Sequence, residues 1–598
     1  MSTYGIDLGT TYSCIAKLDN AGNPVIIKNF DDNSDWVASA VYFKEGQEEC
    51  IVGEGAKEAS LIHPGRVVEF AKRYIGRKGE LTRNFEIDGK VYKPEDISAM
   101  VLKRIVTYAK RHGEDVQDVI ITCPAYFDFA QREATKLAGT YAGLNVIDTV
   151  NEPTAAALSY CHRQFEEDQT ILIYDLGGGT FDVSILQMSL DPNGRQILTV
   201  LATTGDDRLG GKEWDDSLFK IMVKRYCDEN AVEYFDEMGP TEGALELETL
   251  QIIKNSVETL KKKLSIEQDS SIKVNDAGIR TTIKVSRREF EEKTSHLVDR
   301  TMGYLEKALQ LAQNPDIDQV LLVGGSTFMP RIREVLEARF PGIVRLEDPN
   351  LAVAKGAAVL GSMLDIGRDW EKIAAIIEAQ KEAIKEDGTQ KGLTKEQLMD
   401  VYKEEIEKQG ITVPETFDPD DYVSGSKGTG TSTTGGLPPV LEETSPRSLG
   451  PAVLVNDEYL IDNLVKMGDK LPVHINKPYY TPRDNMKQIR LPLYQSLSRE
   501  EYVVPDVDRD GTPRETDPAL DVKRFDNYLI LPLPPGMPAD SEIVLDFQVT
   551  KSGVIMKVRN PLDNKEEELC YSFYEEVSEE EIKKKQQELA KRQYVSDI

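Results

Sequence analysis

Short apolar runs that flank glycine-rich turns are the clearest pattern in the front half of the chain. Apolar positions predict one strand ending at Ile6 and Leu8 and a second at 12–18. The same order recurs at 171–174 and 181–186, on either side of another turn. Each pair is typical of a β-hairpin whose turn lacks side chains. The repetition predicts a duplicated domain.

The two turns, 5–11 (GIDLGTT) and 175–180 (DLGGGT), have the composition of a phosphate-binding loop. Glycines let backbone N–H groups approach an anion closely, and threonine hydroxyls add donors. Either sequence alone is more typical of an ordinary turn. Two such loops that face each other could grip a polyphosphate from both sides. Asp7 and Asp175 are then placed to hold a hydrated Mg²⁺, because this ion prefers carboxylates, phosphates and retained water.

A third segment adds a place for a nucleoside. Residues 320–323 (VLLV) have the pattern of a buried strand, and Gly324 and Gly325 follow directly. A nucleoside could lie against the bare backbone of this glycine pair. Together the three segments indicate a nucleotide-binding domain.

Beyond residue 366 the pattern changes. Helical periodicity at 368–386 and 394–409 predicts a helical hairpin, and the Gly, Ser and Thr of 411–436 predict a flexible segment. A charged helix with a capped start is predicted at 578–592. Between them, apolar alternation predicts the strands of a β-sandwich, which are 471–472, 489–494, 528–533, 543–547 and a closing hairpin at 551–555.

Composition narrows the classes of partner and compartment. The 598 residues are 40% hydrophobic, enough for several domains with cores of their own. A net charge of −31 argues against nucleic acid and anionic membrane as partners. The 6 cysteines form no Cys-x-x-Cys, which argues against zinc and disulfides and favours a reducing compartment. Without a signal peptide or a membrane-spanning apolar run, the expected location is cytoplasmic.

Five segments together resemble the ATPase domain of the seventy-kilodalton heat-shock chaperones (DnaK type). They occur in the order of that family over residues 1 to about 366, and they are 5–13, 151–157 (NEPTAAA), 175–182, 209–211 (LGG) and 324–327 (GGST). The resemblance implies an α/β, actin-like fold of two lobes that close on Mg-ATP. K⁺ is a further candidate cofactor.

The resemblance also implies the catalytic residues. Lys72 would reach the γ-phosphate, Glu152 would order the attacking water, and Thr180 would lie near the γ-phosphate. Asp175 and Asp182, with Asp7, would surround the metal and the water. Without the resemblance, Lys72 is more typical of a solvated surface charge. Glu152, which precedes a proline, is more typical of a helix start.

The nucleotide-binding residues follow in the same way. The phosphate side would be Gly9, Thr10, Thr11, Tyr12, Gly177, Gly178, Gly179, Thr180, Gly210 and Gly211. The adenosine side would be Glu258, Lys261, Lys262, Ser265, Gly324, Gly325, Ser326, Phe328 and Asn350. By pattern alone, 258–265 is more typical of a solvated basic helix face. Lys262 and Phe328 stand where many members have arginine, and Asn350 where they usually have aspartate, so nucleotide affinity is expected to differ.

From Thr444 the chain resembles, more faintly, the peptide-binding β-sandwich of the family. Ile461, Tyr479 and Ile489 would line a peptide groove, although such alternation more often marks a core. Pro124 and Arg132 match positions that relay docking of an apolar linker, here predicted at 437–441 with Val440 and Leu441 as its switch residues. The last helix is too short to be the family's lid.

The sequence therefore predicts an ATPase domain followed by a rear domain. The predicted boundaries are an ATPase domain at 1–366, a helical hairpin insertion at 367–410, a flexible linker at 411–443, a β-sandwich at 444–560 and a charged tail with a short helix at 561–598. The predicted function is that of a chaperone that hydrolyses ATP to control its binding of unfolded or extended polypeptides. A J-domain co-chaperone and a nucleotide exchange factor are the expected partners. An ATP-sensing scaffold without hydrolysis and a small-molecule kinase of the same fold are the alternatives.

Overall fold

A computed structural model of the chain describes most residues from 3 to 595. The described ranges are 3–46, 49–60, 62–77, 82–162, 168–190, 196–232, 234–235, 239–240, 247–276, 279–386, 395–408, 440–442, 444–445, 447–455, 458–496, 502–504, 522–550, 553–560, 562, 565–572, 577–592 and 594–595. Within these ranges, no helix combines the length and the apolar character needed to cross a membrane.

Lobe I is a mixed sheet with helices packed on it and covers residues 3–162. Its elements are β1 (Tyr4–Asp7), β2 (Tyr12–Leu18), β3 (Pro24–Ile27), β4 (Val37–Ala38), β5 (Ala40–Phe43), β6 (Cys50–Val52), α1 (Glu54–Ala59), β7 (Val67–Glu69), β8 (Phe85–Ile87), β9 (Lys90–Tyr92), α2 (Pro94–Arg111), β10 (Asp118–Cys123), α3 (Phe129–Tyr141), β11 (Asn145–Asn151) and α4 (Glu152–Cys161). The main sheet has the order β11-β10-β1-β2-β3, with β4 paired to β2.

Lobe II repeats this plan. Its elements, with the long helix that follows, are β12 (Gln169–Leu176), β13 (Phe181–Leu190), β14 (Gln196–Asp206), α5 (Gly211–Glu229), β15 (Tyr234–Phe235), β16 (Gly239–Pro240), α6 (Leu247–Leu264), β17 (Asp269–Asp276), β18 (Ile279–Ser286), α7 (Arg287–Leu311), β19 (Gln319–Val323), α8 (Pro330–Arg339), β20 (Val344–Arg345) and α9 (Ala352–Glu386). Its main sheet has the order β20-β19-β12-β13-β14.

The two main sheets share one topology, which confirms the predicted duplication. β1 pairs antiparallel with β2 and parallel with β10, just as β12 pairs antiparallel with β13 and parallel with β19. Asp7 and Asp175 therefore lie at equivalent places near the carboxyl ends of β1 and β12. In open α/β sheets this end is where ligands bind.

The predicted helical hairpin is present, but its first helix is not a separate element. α9 runs without a break from Ala352 through Gly367, so the predicted boundary at 366–367 falls inside a helix. A second helix, α10 (Lys395–Lys408), packs on it through a small apolar cluster of Ile373, Ile377, Tyr402 and Ile406. The predicted flexible segment at 411–436 lies outside the described residues.

The rear domain consists of two sheets that share one apolar core. The remaining elements are β21 (Val440–Glu442), β22 (Ser448–Val455), β23 (Glu458–Ile461), β24 (Val473–Tyr480), β25 (Gln488–Ser496), β26 (Tyr502–Val504), β27 (Lys523–Pro532), β28 (Glu542–Val549), β29 (Gly553–Asn560), β30 (Lys565–Ser572), α11 (Glu579–Lys591) and β31 (Tyr594–Val595). The sheet orders are β26-β23-β22-β25-β27 and β24-β28-β29-β30. Buried side chains such as Leu493, Leu531 and Phe547 fill the space between the sheets.

The strands predicted at 489–494, 528–533 and 543–547 are confirmed as parts of β25, β27 and β28. The pair 471–472 is not in a strand, because the strand begins just after it, at Val473. The closing hairpin is formed by β28 and β29.

This rear domain contacts both lobes. β21 extends the main sheet of lobe II by pairing parallel with β14. Phe129, at the start of α3 in lobe I, packs in the apolar cluster of the sandwich. At the end of the chain, β31 pairs parallel with β6 of lobe I.

Candidate active site

Four acidic side chains and one lysine are gathered between the two lobes. Asp175 lies directly opposite Asp182 across the β12/β13 hairpin, so that both side chains are on the same face. The Thr122 hydroxyl, at the end of the neighbouring strand β10, donates to Asp7 at 3.0 Å. The backbone N–H of Tyr126 donates to Asp182 at 2.8 Å. Strand ends and one loop therefore fix the three aspartates predicted around the metal.

Burial and repulsion between neighbouring carboxylates disfavour the ionised form of these aspartates. Burial, followed by the nearby Glu152 carboxylate, raises the pKa of Asp7 to about 7 and that of Asp182 to about 8. The same two causes, with Asp182 and Asp7 added, raise the pKa of Asp175 well above its usual range. The cluster is therefore short of positive charge, and a cation placed there would favour the ionised carboxylates.

Mg²⁺ fits this donor set. In proteins it binds through one or two carboxylates together with substrate phosphates and several retained waters. Asp7 and Asp175, predicted to hold it through water, are the carboxylates at the two equivalent strand ends. Across the part of the chain that the structure describes, no three His, Cys, Asp or Glu side chains are grouped to hold a metal by themselves.

Lys72 and Glu152 form a buried ion pair beside this cluster. The Lys72 ammonium donates to the Glu152 carboxylate at 2.5 Å, and the lysine side chain is only 4% exposed. Burial alone would lower the pKa of Lys72, but the Glu152 and Asp7 carboxylates outweigh it and raise that pKa. Lys72 is therefore not the solvated surface charge that its basic surroundings suggested. Glu152 is also the first residue of α4, so the helix-start interpretation holds for it as well.

The two glycine loops face each other, as predicted. A Cβ atom on Gly178 would lie 1.9 Å from the Thr11 hydroxyl, and one on Gly179 would lie 2.4 Å from the Thr10 methyl group. A side chain at either glycine would therefore collide with the opposite loop. On the first loop, a Cβ on Gly9 would lie 2.0 Å from the carbonyl of Tyr12, so this turn also requires glycine.

Gly210 and Gly211 pack directly against the backbone of the second glycine loop. The Gly211 N–H donates to the Gly177 carbonyl at 2.9 Å, and a Cβ on Gly210 would lie 2.6 Å from the backbone of Gly179. The hairpin itself is closed by the Gly177 N–H, which donates to the Thr180 carbonyl at 3.1 Å. These glycines are thus required by close backbone packing.

The third glycine segment also reaches the second loop. Gly324 has a φ of +83°, and a Cβ there would lie 2.4 Å from the Leu176 carbonyl. The Ser326 hydroxyl donates to the Gly177 carbonyl at 3.0 Å. Asn350 borders the segment, since its side-chain oxygen would lie 3.0 Å from a Cβ on Gly325. The structure therefore brings all three predicted glycine segments together.

Glu258 and Lys262, predicted to hold adenosine, belong to a network of polar contacts that crosses the cleft to Tyr12 and Lys57. Glu258 accepts from the Tyr12 hydroxyl at 3.1 Å and pairs with Lys57 and Lys262, each at 2.8 Å. Burial opposes ionisation, yet the two ammonium groups hold the pKa of Glu258 at about 2. The Lys262 ammonium lies 5.0 Å from the centre of the Tyr12 ring. This network joins the two lobes where the ribose is expected.

The other adenosine-side residues lie apart from this network. Lys261 is buried and turns to the Gly211 carbonyl, at 2.9 Å, and to Asp215, at 2.8 Å. Ser265 donates back to the carbonyl of Lys261 in its own helix, at 3.2 Å. Phe328 is 46% exposed at the end of the short turn that follows β19. Its ring has the exposure that a stacking surface needs.

Two residues at the site were missed from the sequence. Arg73, next to Lys72, donates to the Gly179 carbonyl at 2.7 Å and pairs with Glu213 at 2.7 Å. The basic stretch around Lys72 was the signal for it. Lys57, which bridges Tyr12 and Glu258, had no signal in the sequence because its partners are distant in the chain.

The three residues predicted to line a peptide groove in the rear domain differ in their burial. Ile461 is buried against Ala452 and Tyr494, so it is not open to a peptide in this structure. Tyr479 donates its hydroxyl to Asp462 at 2.7 Å, and it packs with Ile489 against the sandwich core. For Ile461 the core alternative is the one that the packing favours.

The predicted interdomain residues lie where the sandwich meets the lobes. Arg132 donates to the carbonyls of Ala125 and Phe127, which follow Pro124 at the end of β10. Arg132 also lines a cleft with Thr444 and Met467 of the rear domain. Val440 and Leu441 lie in β21, opposite Ile197 and Leu198 of lobe II.

Comparison with known families gives one match. A family model described as HSP70 (Hsp70 protein) matches residues 3–376, which is more than half of the 598 residues. Members of this family are chaperones with an actin-like ATPase domain that binds ATP with Mg²⁺, and they typically bind unfolded clients and co-chaperones. The duplicated sheets, the facing glycine loops and the buried acidic cluster agree with this match. The chain therefore belongs to the seventy-kilodalton heat-shock protein (Hsp70) family.

Proposed function

We propose that this protein hydrolyses ATP between its lobes and uses the reaction to control how its rear domain holds unfolded polypeptides. One observation carries the proposal. The Lys72–Glu152 pair is buried at 2.5 Å beside three aspartates, where the two glycine loops meet. A buried lysine and a buried carboxylate at this place can offset phosphate charge and orient an attacking water.

Each residue has a role in phosphoryl transfer. Backbone N–H groups of the facing loops bind the phosphates, and the Lys72 ammonium offsets charge on the transferred group. Glu152, oriented by its ion pair, orders the attacking water. Asp7 and Asp175 would hold the hydrated ion, and Asp182 would lie beside the ion and the attacking water. When bound, Mg²⁺ neutralises phosphate charge and aligns the phosphates.

The contacts between the domains support the proposal that hydrolysis controls the rear domain. β21 adds a strand to the same sheet of lobe II that carries Asp175 and Asp182. A change in the angle between the lobes would therefore also change the surface that receives the linker. Arg132, in α3, donates to the Ala125 carbonyl in the loop that holds Asp182, and it lines a cleft with Thr444 of the rear domain.

Single-turnover hydrolysis of ATP, with and without an unfolded peptide, tests the function. We expect ADP to form in the absence of any acceptor molecule and the rate to rise when peptide is added. Tight ATP binding without turnover would instead favour the scaffold alternative. ADP that forms only with a sugar or an organic acid present would favour the kinase alternative.

A further inference from the structure

Residues 577–592 and 594–595 lie on lobe I, which is almost 500 residues earlier in the chain. We call residues 577–592 with 594–595 the C-terminal strap; it contains α11 and β31. The contacts described below are made with β5, β6, β9, α2 and α3 of lobe I. Its position is therefore not explained by the proposed hydrolysis.

One face of α11 is complementary to lobe I. Ile582, Lys585, Gln586 and Leu589 follow the i, i+3, i+4, i+7 spacing of a single helix face. Leu589 is 4% exposed and belongs to the apolar core of lobe I, and Ile582 packs against that core. The opposite face, which includes Lys583 and Lys584, is exposed.

Polar contacts fix the register of this helix. The Lys585 ammonium pairs at 2.8 Å with Asp96, a buried residue at the start of α2. Gln586 donates to the carbonyl of Thr140, at the end of α3, at 2.8 Å. Lys585 thus contacts the start of α2, and Gln586 contacts the end of α3.

The strap continues past the helix as a strand. The guanidinium of Arg592 lies 5.6 Å from the centre of the Phe43 ring and 5.5 Å from that of Tyr92, and it donates to the Tyr92 hydroxyl at 2.6 Å. β31 then pairs with β6, with Tyr594 opposite Cys50 and Val595 opposite Ile51. The strap therefore covers a sheet edge of lobe I that would otherwise be open to another strand.

Docking of the strap affects both the stability of α11 and the position of the sandwich. A helix of 13 residues is marginal in water by itself, so α11 depends on lobe I for its structure. Only five peptide units separate Ser572, the last residue of β30, from Val577, a span of at most about 18 Å. The other route from lobe to sandwich passes through residues 409–439, a much longer tether.

We propose that lobe I carries a docking face for a basic amphipathic helix followed by a strand, and that the chain's own C-terminal strap occupies it to hold the sandwich on the ATPase domain. The short tether raises the effective concentration of the sandwich at lobe II above what the longer route provides. The strap thereby promotes the pairing of β21 with β14. This role does not depend on whether the protein hydrolyses ATP.

Hydrogen exchange on the full-length protein tests the proposal. We expect amides of 579–591 and of 197–199 to be protected in the wild type and in Lys584→Glu, which alters the exposed face. In Lys585→Glu and Leu589→Asp we expect protection at 579–591 to be lost and protection at 197–199 to fall at least threefold. An unprotected α11 in the wild type would overturn the proposal. So would variants in which 579–591 lose protection while 197–199 exchange as in the wild type.

Rescue in trans separates docking from misfolding. A synthetic peptide of residues 577–595 is added to full-length Leu589→Asp, and binding to lobe I is followed by exchange at 50–52. We expect the peptide to protect β6, and a peptide with the same Leu589→Asp change to leave it exposed. Equal effects of the two peptides would show that lobe I has no such docking face.

Discussion

At the scale of single residues, the Lys72–Glu152 pair is the most direct test of the chemistry. Removing one partner from a buried pair leaves the other without compensation, which costs about 3–5 kcal/mol. Lys72→Met and Glu152→Gln nearly preserve side-chain volume, so neither adds the cost of a cavity to that loss. We expect either change to slow single-turnover hydrolysis by roughly 10²- to 10⁴-fold while ATP remains bound.

A matched control for this pair is Arg288→Met, which breaks an exposed ion pair with Glu292 on α7. Exposed pairs contribute about 0–1 kcal/mol, so the control should hydrolyse ATP at the wild-type rate. Rates within threefold of wild type in both active-site variants would remove the assigned roles of Lys72 and Glu152.

The acidic cluster predicts an unusual dependence of stability on pH in metal-free protein. The pKa of Asp182 rises from 3.8 to about 8 on folding. Between these values the folded state keeps a proton that the unfolded state has lost, so the free energy of unfolding falls as pH rises towards 8. Asp182→Asn removes the part of this pH dependence that Asp182 contributes. In the presence of a chelator, we therefore expect the melting temperature of the variant to drop less between pH 6 and pH 9 than that of the wild type.

The control for the pH experiment is Asp88→Asn. Asp88 is exposed and its pKa is lowered by the Arg66 guanidinium, so it carries no proton in this range. This variant should follow the wild type between pH 6 and pH 9. A slope for Asp182→Asn that is equal to the wild-type slope would mean that Asp182 is already ionised at pH 6.

Phe328 offers a test of the adenosine side. Its half-exposed ring can stack on adenine where other members have a guanidinium. We expect Phe328→Ala to weaken ATP binding by about 0.5–1.5 kcal/mol in calorimetry. Leu562→Ala, an exposed apolar residue in the rear domain, serves as the control. Unchanged affinity for ATP in Phe328→Ala would show that the ring packs elsewhere when nucleotide is bound.

At the scale of elements, β21 is the strand whose docking can be tested most sharply. Leu441 packs against the cluster that contains Leu198 and Val200, and Glu442 accepts from the Thr199 hydroxyl at 2.7 Å. A polar group buried there without a partner costs about 1–3 kcal/mol. In Leu441→Asp we therefore expect amides 197–199 to exchange roughly 10- to 100-fold faster.

Lys470→Met is the control for this strand. It removes only the surface pair between Lys470 and Glu442, which leaves the pairing of β21 with β14 intact. Exchange at 197–199 should then stay close to the wild-type rate. If Leu441→Asp exchanges no faster than this control, β21 is not what protects the edge of lobe II.

The hairpins and their glycine loops could be predicted from the sequence because the information is local. Apolar runs beside Gly177, Gly178 and Gly179 specify a strand, a bare turn and a second strand within a few residues. The contacts of Lys57 and Arg73 could not be predicted, since each is made across the cleft to residues distant in the chain. Their side chains look like those of any surface cation until the lobes meet.

Two element-level features are not contained in the local sequence. The boundary at 366–367 followed the extent of the family resemblance, and it falls inside a helix because α9 continues through Gly367. Ile461 fits an alternating strand pattern, but that pattern does not tell a groove from a core. Burial of Ile461 against Tyr494 is decided by the second sheet, which the local sequence does not contain.

At the scale of the whole molecule, the sandwich is held at both of its ends. Its front end joins lobe II through β21, and its rear end joins lobe I through β31. The described parts of 440–595 therefore bridge the two lobes that line the candidate active site. A change of angle in the cleft has to be accommodated by at least one of these attachments.

The helical insertion between the domains provides the last prediction, which concerns how strongly peptide stimulates hydrolysis. In the described residues, the hairpin of α9 and α10 packs through its own small cluster, whereas β21 makes the contact with lobe II. The insertion therefore acts as a tether, and each doubling of tether length costs about 0.6 kcal/mol of closure entropy. Deleting residues 368–436 should raise the stimulation of single-turnover hydrolysis by unfolded peptide.

A Gly/Ser spacer of the same length, put in place of residues 368–436, separates the length of the tether from the hairpin itself. It should leave stimulation at the wild-type level, because it keeps the length of the tether and replaces the hairpin formed by α10 and the end of α9. The packed start of α9, where Ala354, Ala357 and Ala358 are buried against the lobes, is retained in both variants. Loss of stimulation in both the deletion and the spacer variant would identify the hairpin, not β21, as the element that docks.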